Sequence, residues 1–313
     1  MYGTCFTACI QGIDGVLVHA EADLQSGIPM FAIVGLPDSA VREAAERVRA
    51  ALRNSGYEFP LRRITVNLAP ADVRKEGASF DLAIAAVLLF ASRQWPPELA
   101  EGTMFLGELG LLGDVRAVPG VLPMALAARE AGLVRIVVPY ENAREAALAG
   151  GLEVVPVRRL TDVPAAAGFA AAPFPAPGAA AASGLAPGAA AACGTSVGSG
   201  FVTAAGGARF PKEPEPEDFA DVVGQLQSKR ALAVAAAGRH NILFIGPPGS
   251  GKTMLMRRLA GILPPLEDDE ALEVTKIYSA CGKLADRCAL VRRRPFRAPH
   301  HTISAQGLVG GGA

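Results

Sequence analysis

Along residues 1–162, short apolar runs alternate with longer mixed ones. FTACI (6–10), VLVHA (16–20), MFAIVG (30–35), ITVNLA (64–69), TMFLGEL (103–109), RIVVP (135–139) and LEVVPV (152–157) are rich in β-branched and apolar residues, the pattern of strands. Between them, GLPDSAVREAAERVRAAL predicts a helix. Asp38 or Ser39 can cap it, Glu43 and Glu46 come early, and Arg47, Arg49 and Arg53 come late, as the helix dipole favours. Glu43 and Arg47 lie one turn apart, and Asn54-Ser55-Gly56 ends the element. Further helices are expected after Ser79 and over PMALAAREAG (123–132). Strands alternating with helices predict an α/β layer.

The pattern then stops. From Val163 to Ala208 no residue is charged, and Ala, Gly and Pro dominate without helical or strand period. This predicts a flexible linker over 163–208 between domains at 1–162 and 209–313. Pro and Gly interrupt it too often for a membrane span. The clean apolar run Leu82–Ala91 is too short for one. The start, MYGTCFTACIQGIDG, lacks the basic and apolar regions of a signal peptide.

The second part opens with an acidic lead-in and a helix, DFADVVGQLQSKRAL. It continues through a buried-type strand, NILFI (241–245), and a glycine loop to a second helix, stopped by Pro264-Pro265. The loop, Gly246-Pro247-Pro248-Gly249-Ser250-Gly251-Lys252-Thr253, fits G-x-x-x-x-G-K-[ST]. Strand, loop and helix are the setting that this phosphate-binding motif needs. Glycines let backbone N–H groups turn toward phosphate oxygens, and the helix N-terminus adds positive potential. Lys252 is the candidate catalytic residue, reaching the β- and γ-phosphates of ATP. Thr253 is the candidate Mg²⁺ ligand, through its hydroxyl.

Charge and cysteines narrow the picture little. Among 313 residues, 30 Lys and Arg balance 30 Asp and Glu, so only local patches can favour DNA. The five cysteines (Cys5, Cys9, Cys193, Cys281, Cys288) form no C-x-x-C pair, which points to free thiols and a cytoplasmic location.

RKEGASFDLAIAAVLL (74–89) raises a second chemistry. With the stretch from FLGELGLLGD onward, it resembles the proteolytic domain of Lon, whose serine is activated by a lysine. Ser79 matches the serine's place, but the lysine's place falls at Pro123, which offers no base. Phe80 and Asp81 also stand where the protease has small residues. Ser79 is therefore read as an N-cap or turn residue and the peptidase reading is disfavoured; Lys75 is a weaker candidate base.

IVGLPDSAVREAAERVRAALRNSGYEFP, ITVNLAPADVRKEGASFDL, GPPGSGKTML and RPFRAPHHTIS resemble the signature stretches of the ComM/YifB group of magnesium-chelatase-like AAA+ ATPases. The resemblance implies a non-proteolytic Lon-like α/β domain followed by a P-loop AAA+ core. It also implies a homo-hexameric ring and branch migration on DNA during natural transformation. The alternative it leaves is the ATPase subunit of a metal chelatase, which lacks a Lon-like N-terminal domain. Arg292, Arg293, Arg294, Arg297, His300 and His301 form a basic strip that is a candidate DNA contact, equally readable as a solvated hairpin or an interface strand. Two adjacent histidines without a third ligand make zinc a weak reading. An AAA+ core continues to an acidic Walker B pair, a sensor residue and an arginine finger. None lies before Ala313, so the chain is expected to be a fragment that binds nucleotide without hydrolysing it.

Overall fold

The computed structural model describes residues 1–169, 217–284, 290–300 and 302–309. The chain divides into two compact units, one of Met1–Gly178 with Glu267–Val291, the other of Ala179–Leu266 with Arg292–Ala313.

The first unit is built on a seven-stranded mixed sheet. β1 (Tyr2–Gln11) and β2 (Asp14–Gln25) form an antiparallel hairpin; β3 (Met30–Val34) and β4 (Arg63–Ala69) follow, then β5 (Thr103–Phe105). The chain next leaves this sheet to make a small ladder, β6 (Glu108–Leu109) with β7 (Val115–Arg116), and returns for β8 (Arg135–Pro139) and β9 (Glu153–Val157). The order is β3-β4-β2-β1-β5-β8-β9. β1–β2 and β2–β4 are antiparallel, and the other four pairs are parallel. All seven predicted runs therefore carry strands of this sheet. TMFLGEL alone is divided, because Gly107 bends away and donates its N–H to the Ser79 carbonyl at 3.0 Å.

Alternation explains the burial. In β4, Ile64, Val66 and Leu68 point into a core while Thr65 and Asn67 are only half-buried. One core lies under α1 (Ser39–Asn54) and α2 (Asp81–Ala91). α1 buries a single stripe, Val41, Ala44, Val48, Ala51 and Leu52. Asp38 is its cap, accepting from the Val41 N–H at 2.8 Å. α2 is buried along all eleven residues, as expected of a helix apolar on every side. A second core lies under α3 (Val121–Glu130) and α4 (Ala143–Ala147). α3 can lie close on β2 because Gly15 has no side chain: a Cβ there would stand 2.2 Å from the Pro123 carbonyl oxygen.

One sequence boundary moves. Residues 163–169, expected to start the linker, belong to the first unit, since α5 (Val163–Ala166) packs on β9 with Val163 and Pro164 buried. The remainder of that expectation, from residue 170 to 208, lies outside the described residues.

The second unit contains α6 (Leu226–Gly238) and α7 (Lys252–Ile262), joined through a small core of Val222, Leu232 and Leu255. α8 (Asp268–Ala280), assigned from sequence to the second domain, packs in the first unit. It buries Ala271, Thr275 and Ser279, sets Leu272 against the second core, and joins Lys276 to Asp14. α9 (Ala305–Val309) closes the described chain. NILFI departs from expectation: residues 241–245 form no strand, and Leu243 and Ile245 are exposed. A strand exists only through a partner's backbone, and among the described residues none pairs with this segment.

Candidate nucleotide-binding site

The glycine loop lies in the second unit. Gly249 and Gly251 adopt φ of +79° and +83°, a region costly for residues with a side chain, so the chain reverses there and enters α7 at Lys252. Among the described residues, the N–H groups of Gly249, Ser250, Gly251 and Lys252 meet no intramolecular acceptor. They are the unpaired donors of a helix start, which attract anions. Lys252 bends back over the loop. Its Nζ donates to the carbonyls of Gly246 at 2.9 Å and Pro247 at 2.7 Å, and to Ser250 Oγ at 3.3 Å. Its ammonium thus spans the loop mouth, held by neutral acceptors. Thr253 is exposed on the first turn of α7. Gly246, Pro247, Pro248 and Ser250 complete the loop, so the eight predicted residues lie together.

The acidic lead-in is anchored beside this helix. Arg258 of α7 donates to Glu217 Oε2 at 2.8 Å and to the Asp218 carbonyl at 2.8 Å, and reaches Asp221 Oδ2 at 3.4 Å. Asp218 in turn caps the Phe219–Asp221 turn. An ion network therefore clasps the segment before α6 to the helix that the loop opens. Sequence reading did not single out Arg258, because a lone arginine on a helix has no signature. A groove of about 470 Å³ in this unit is lined by residues of α6 and by His240, Asn241 and Ile242, and no loop residue contributes to it.

The basic strip is irregular and mostly exposed over 290–300, not a hairpin or a strand. Arg294 is half-buried and donates to the Pro264 carbonyl at 3.0 Å; His300 Nδ1 lies 2.8 Å from Thr302 Oγ1. Arg292, Arg293 and Arg297 are exposed, and His301 lies outside the described residues. Among the described residues, no three His, Cys, Asp or Glu side chains group as metal ligands.

Ser79, in the first unit, occupies a turn and not an N-cap: α2 is capped by Phe80 without a side-chain bond. Pro123 is buried in α3. Lys75 is fully buried, its ammonium pushed below the usual lysine range by that burial, and its Nζ bonds the Pro70 carbonyl. It is thus committed to backbone and is not bonded to Ser79. What sequence missed lies beside the serine. The buried Asp81 is gripped by Arg47, Nε to Oδ2 at 2.7 Å and Nη2 to Oδ1 at 2.9 Å. The Glu43–Arg47 pair seen in the sequence is present but longer, at 3.9 Å.

Two family models match the chain: subunit ChlI of Mg-chelatase over residues 20–142, and magnesium chelatase, subunit ChlI, over residues 218–313. An uncharacterized protein of Mycobacterium tuberculosis, Rv2897c, is 43% identical over 99% of this chain and 56% of its own. The uncharacterized protein YifB of Salmonella typhimurium is 41% identical over 98% of this chain and 54% of its own. Competence protein ComM of Haemophilus influenzae is 39% identical over 98% and 55%. The chain thus spans little more than half the length of these relatives. A Lon protease of Trichlorobacter lovleyi is 26% identical over 53% of this chain. Among the described residues no helix is long and apolar enough to cross a membrane.

Proposed function

The chain belongs to the magnesium-chelatase-like family that includes YifB and ComM, and from that premise we propose that it is the nucleotide-binding part of an AAA+ ATPase that works on DNA. The observation that carries this reading is the loop: four consecutive N–H groups without an intramolecular acceptor and one lysine ammonium lie together at a helix start. That donor set fits the triphosphate of ATP. Lys252 exchanges the neutral carbonyls of Gly246 and Pro247 for β- and γ-phosphate oxygens, a stronger, charge-assisted contact. Gly249 and Gly251 keep the backbone close to the phosphates, and Thr253 offers its hydroxyl to Mg²⁺. The bound nucleotide supplies the phosphoanhydride whose cleavage drives movement. The whole protein is read as a cytoplasmic homo-hexameric ring, with Arg292, Arg293, Arg294, Arg297, His300 and His301 as contacts to DNA and branch migration as the work done. The name of the relative ComM, a competence protein, supports the DNA part.

A second reading, the ATPase subunit of a metal chelatase, is favoured by the descriptions of both family models. One of them falls on residues 20–142, so the N-terminal unit no longer separates the two readings. ATP hydrolysis by a protein as long as its relatives distinguishes them. Rates that rise with single-stranded, duplex or branched DNA are expected. Rates indifferent to all three, but raised by a porphyrin-binding partner, overturn the DNA reading.

A further inference from the structure

Among the described residues the sheet of the first unit ends at β3, which pairs only with β4. Beside this edge, between α1 and the turn into β4, lies a cavity of about 170 Å³. Arg49, Arg53 and Arg62 line it, together with Phe31, Phe59 and Leu61, and no carboxylate does. Neither the glycine loop nor the Ser79 turn includes any of these residues.

Three features set the cluster apart from an ordinary solvated face. Arg49 and Arg53 stand one turn apart on α1, and both guanidinium carbons lie over the Phe59 ring, 5.1 and 6.0 Å from its centroid. Phe59 is buried and backed by Phe31, 6.2 Å away, so the forks rest on a fixed aromatic shelf. The Arg49 Nε–H is enclosed and has no acceptor. Its one ion contact, to the exposed Glu46, is long at 3.7 Å. Arg53 and Arg62 make no ion pair among the described residues. Two other arginines that lean on this unit, by contrast, have carboxylates, Arg47 with Asp81 and Arg135 with Glu153.

Three like charges facing one cavity repel one another, and an enclosed charged donor without an acceptor is unfavourable. The repulsion is relieved by an oxyanion seated among the three forks, and guanidinium geometry matches phosphate oxygens. A single carboxylate is filled by one fork, whereas tetrahedral phosphate presents oxygens toward several. Met30 and Leu61, which also line the cavity, are exposed, so that its wall reaches the surface where a strand can lie. We propose that this cavity binds a backbone phosphate of a nucleic-acid strand, with Arg49 as the buttressed donor and Arg53 and Arg62 closing from the rim. The identity of the strand rests on the DNA reading above; the oxyanion chemistry does not.

The test uses the full 313-residue chain and fluorescence anisotropy of labelled single-stranded and duplex oligonucleotides across a salt series. Arg53→Gln/Arg62→Gln removes two rim charges that hold no structural ion pair, and a thermal melt checks that the variant is folded. Arg144→Gln/Arg159→Gln removes two charges near β9, at the opposite edge of the sheet. The rim variant is expected to lose roughly tenfold or more in affinity. Its log–log salt slope should fall by about 0.7 on single strands or about 0.9 on duplex, the loss of one phosphate contact, while the opposite-edge variant keeps the wild-type slope. Wild type binding DNA with an unchanged slope in the rim variant overturns the cavity and leaves the DNA reading standing. Wild type binding neither oligonucleotide overturns the proposal, and the ATPase comparison then decides the DNA reading independently. Loss of poly-glutamate binding in the rim variant, with DNA binding intact, overturns it in favour of an acidic protein partner.

Discussion

Arg47→Met puts the buried ion pair to a quantitative test. Asp81 is fully buried, and Arg47 supplies two of its donors; the Leu109 N–H, at 3.2 Å from Oδ2, supplies a third. Methionine keeps the apolar stem and removes the charge, leaving a buried carboxylate with one backbone donor. Breaking one side of such a pair costs about 3–5 kcal/mol. For a unit of this size each kcal/mol lowers Tm by roughly 2–4 °C, so a drop of roughly 6–20 °C is expected. The pH dependence has a definite sign. Burial already pushes the Asp81 carboxyl above the usual aspartate range, against the pull of Arg47, and without Arg47 it rises further. A folded-state value above the unfolded one means that the folded protein keeps this proton to higher pH. The deficit of Arg47→Met is therefore full above that value and shrinks as pH falls through it. Urea unfolding followed by the single tryptophan, Trp95, which is buried against Phe90 and Phe105, reads the stability at about pH 7 and about pH 4.5. Arg47→Met/Asp81→Leu should recover most of the loss, because no charge is then left buried. A deficit below about 1 kcal/mol, or one that does not change with pH, refutes the reasoning.

Lys252→Ala should abolish the melting shift produced by Mg-ATP while leaving the ligand-free melt nearly unchanged, since the lysine bonds only its own loop. The lost charge-assisted contact corresponds to roughly a ten- to hundredfold loss of affinity; a mutant that shifts as much as wild type rules out the loop as the site. Ser79 should resist a serine-directed phosphonate probe, because Lys75 is committed to the Pro70 carbonyl and Pro123 has no base to offer; labelling of wild type that disappears in Ser79→Ala would contradict this.

What the sequence determined by itself is whatever depends on short-range order. Seven strand runs in the first unit were legible because β-branched and apolar residues gather there in short runs. α1 was legible from its cap, its charges and the Asn54-Ser55-Gly56 stop. The glycine loop was legible because its chemistry needs glycines, a lysine and a threonine at fixed spacing on one contiguous segment. The failures share one cause. NILFI looked like a strand, yet pairing depends on a second backbone that no local pattern supplies. α8 looked like part of the nucleotide domain by position, yet its apolar face was settled by the core that it meets. Tertiary structure alone brought Arg47 to Asp81 across 34 residues, Arg258 to Glu217 across 41, and Arg49 and Arg53 to Arg62 around Phe59. In each case ordinary residues acquire meaning from distance in space. The free energy of a buried charge or of a shared anion site depends on that distance, and the spacing along the chain does not encode it.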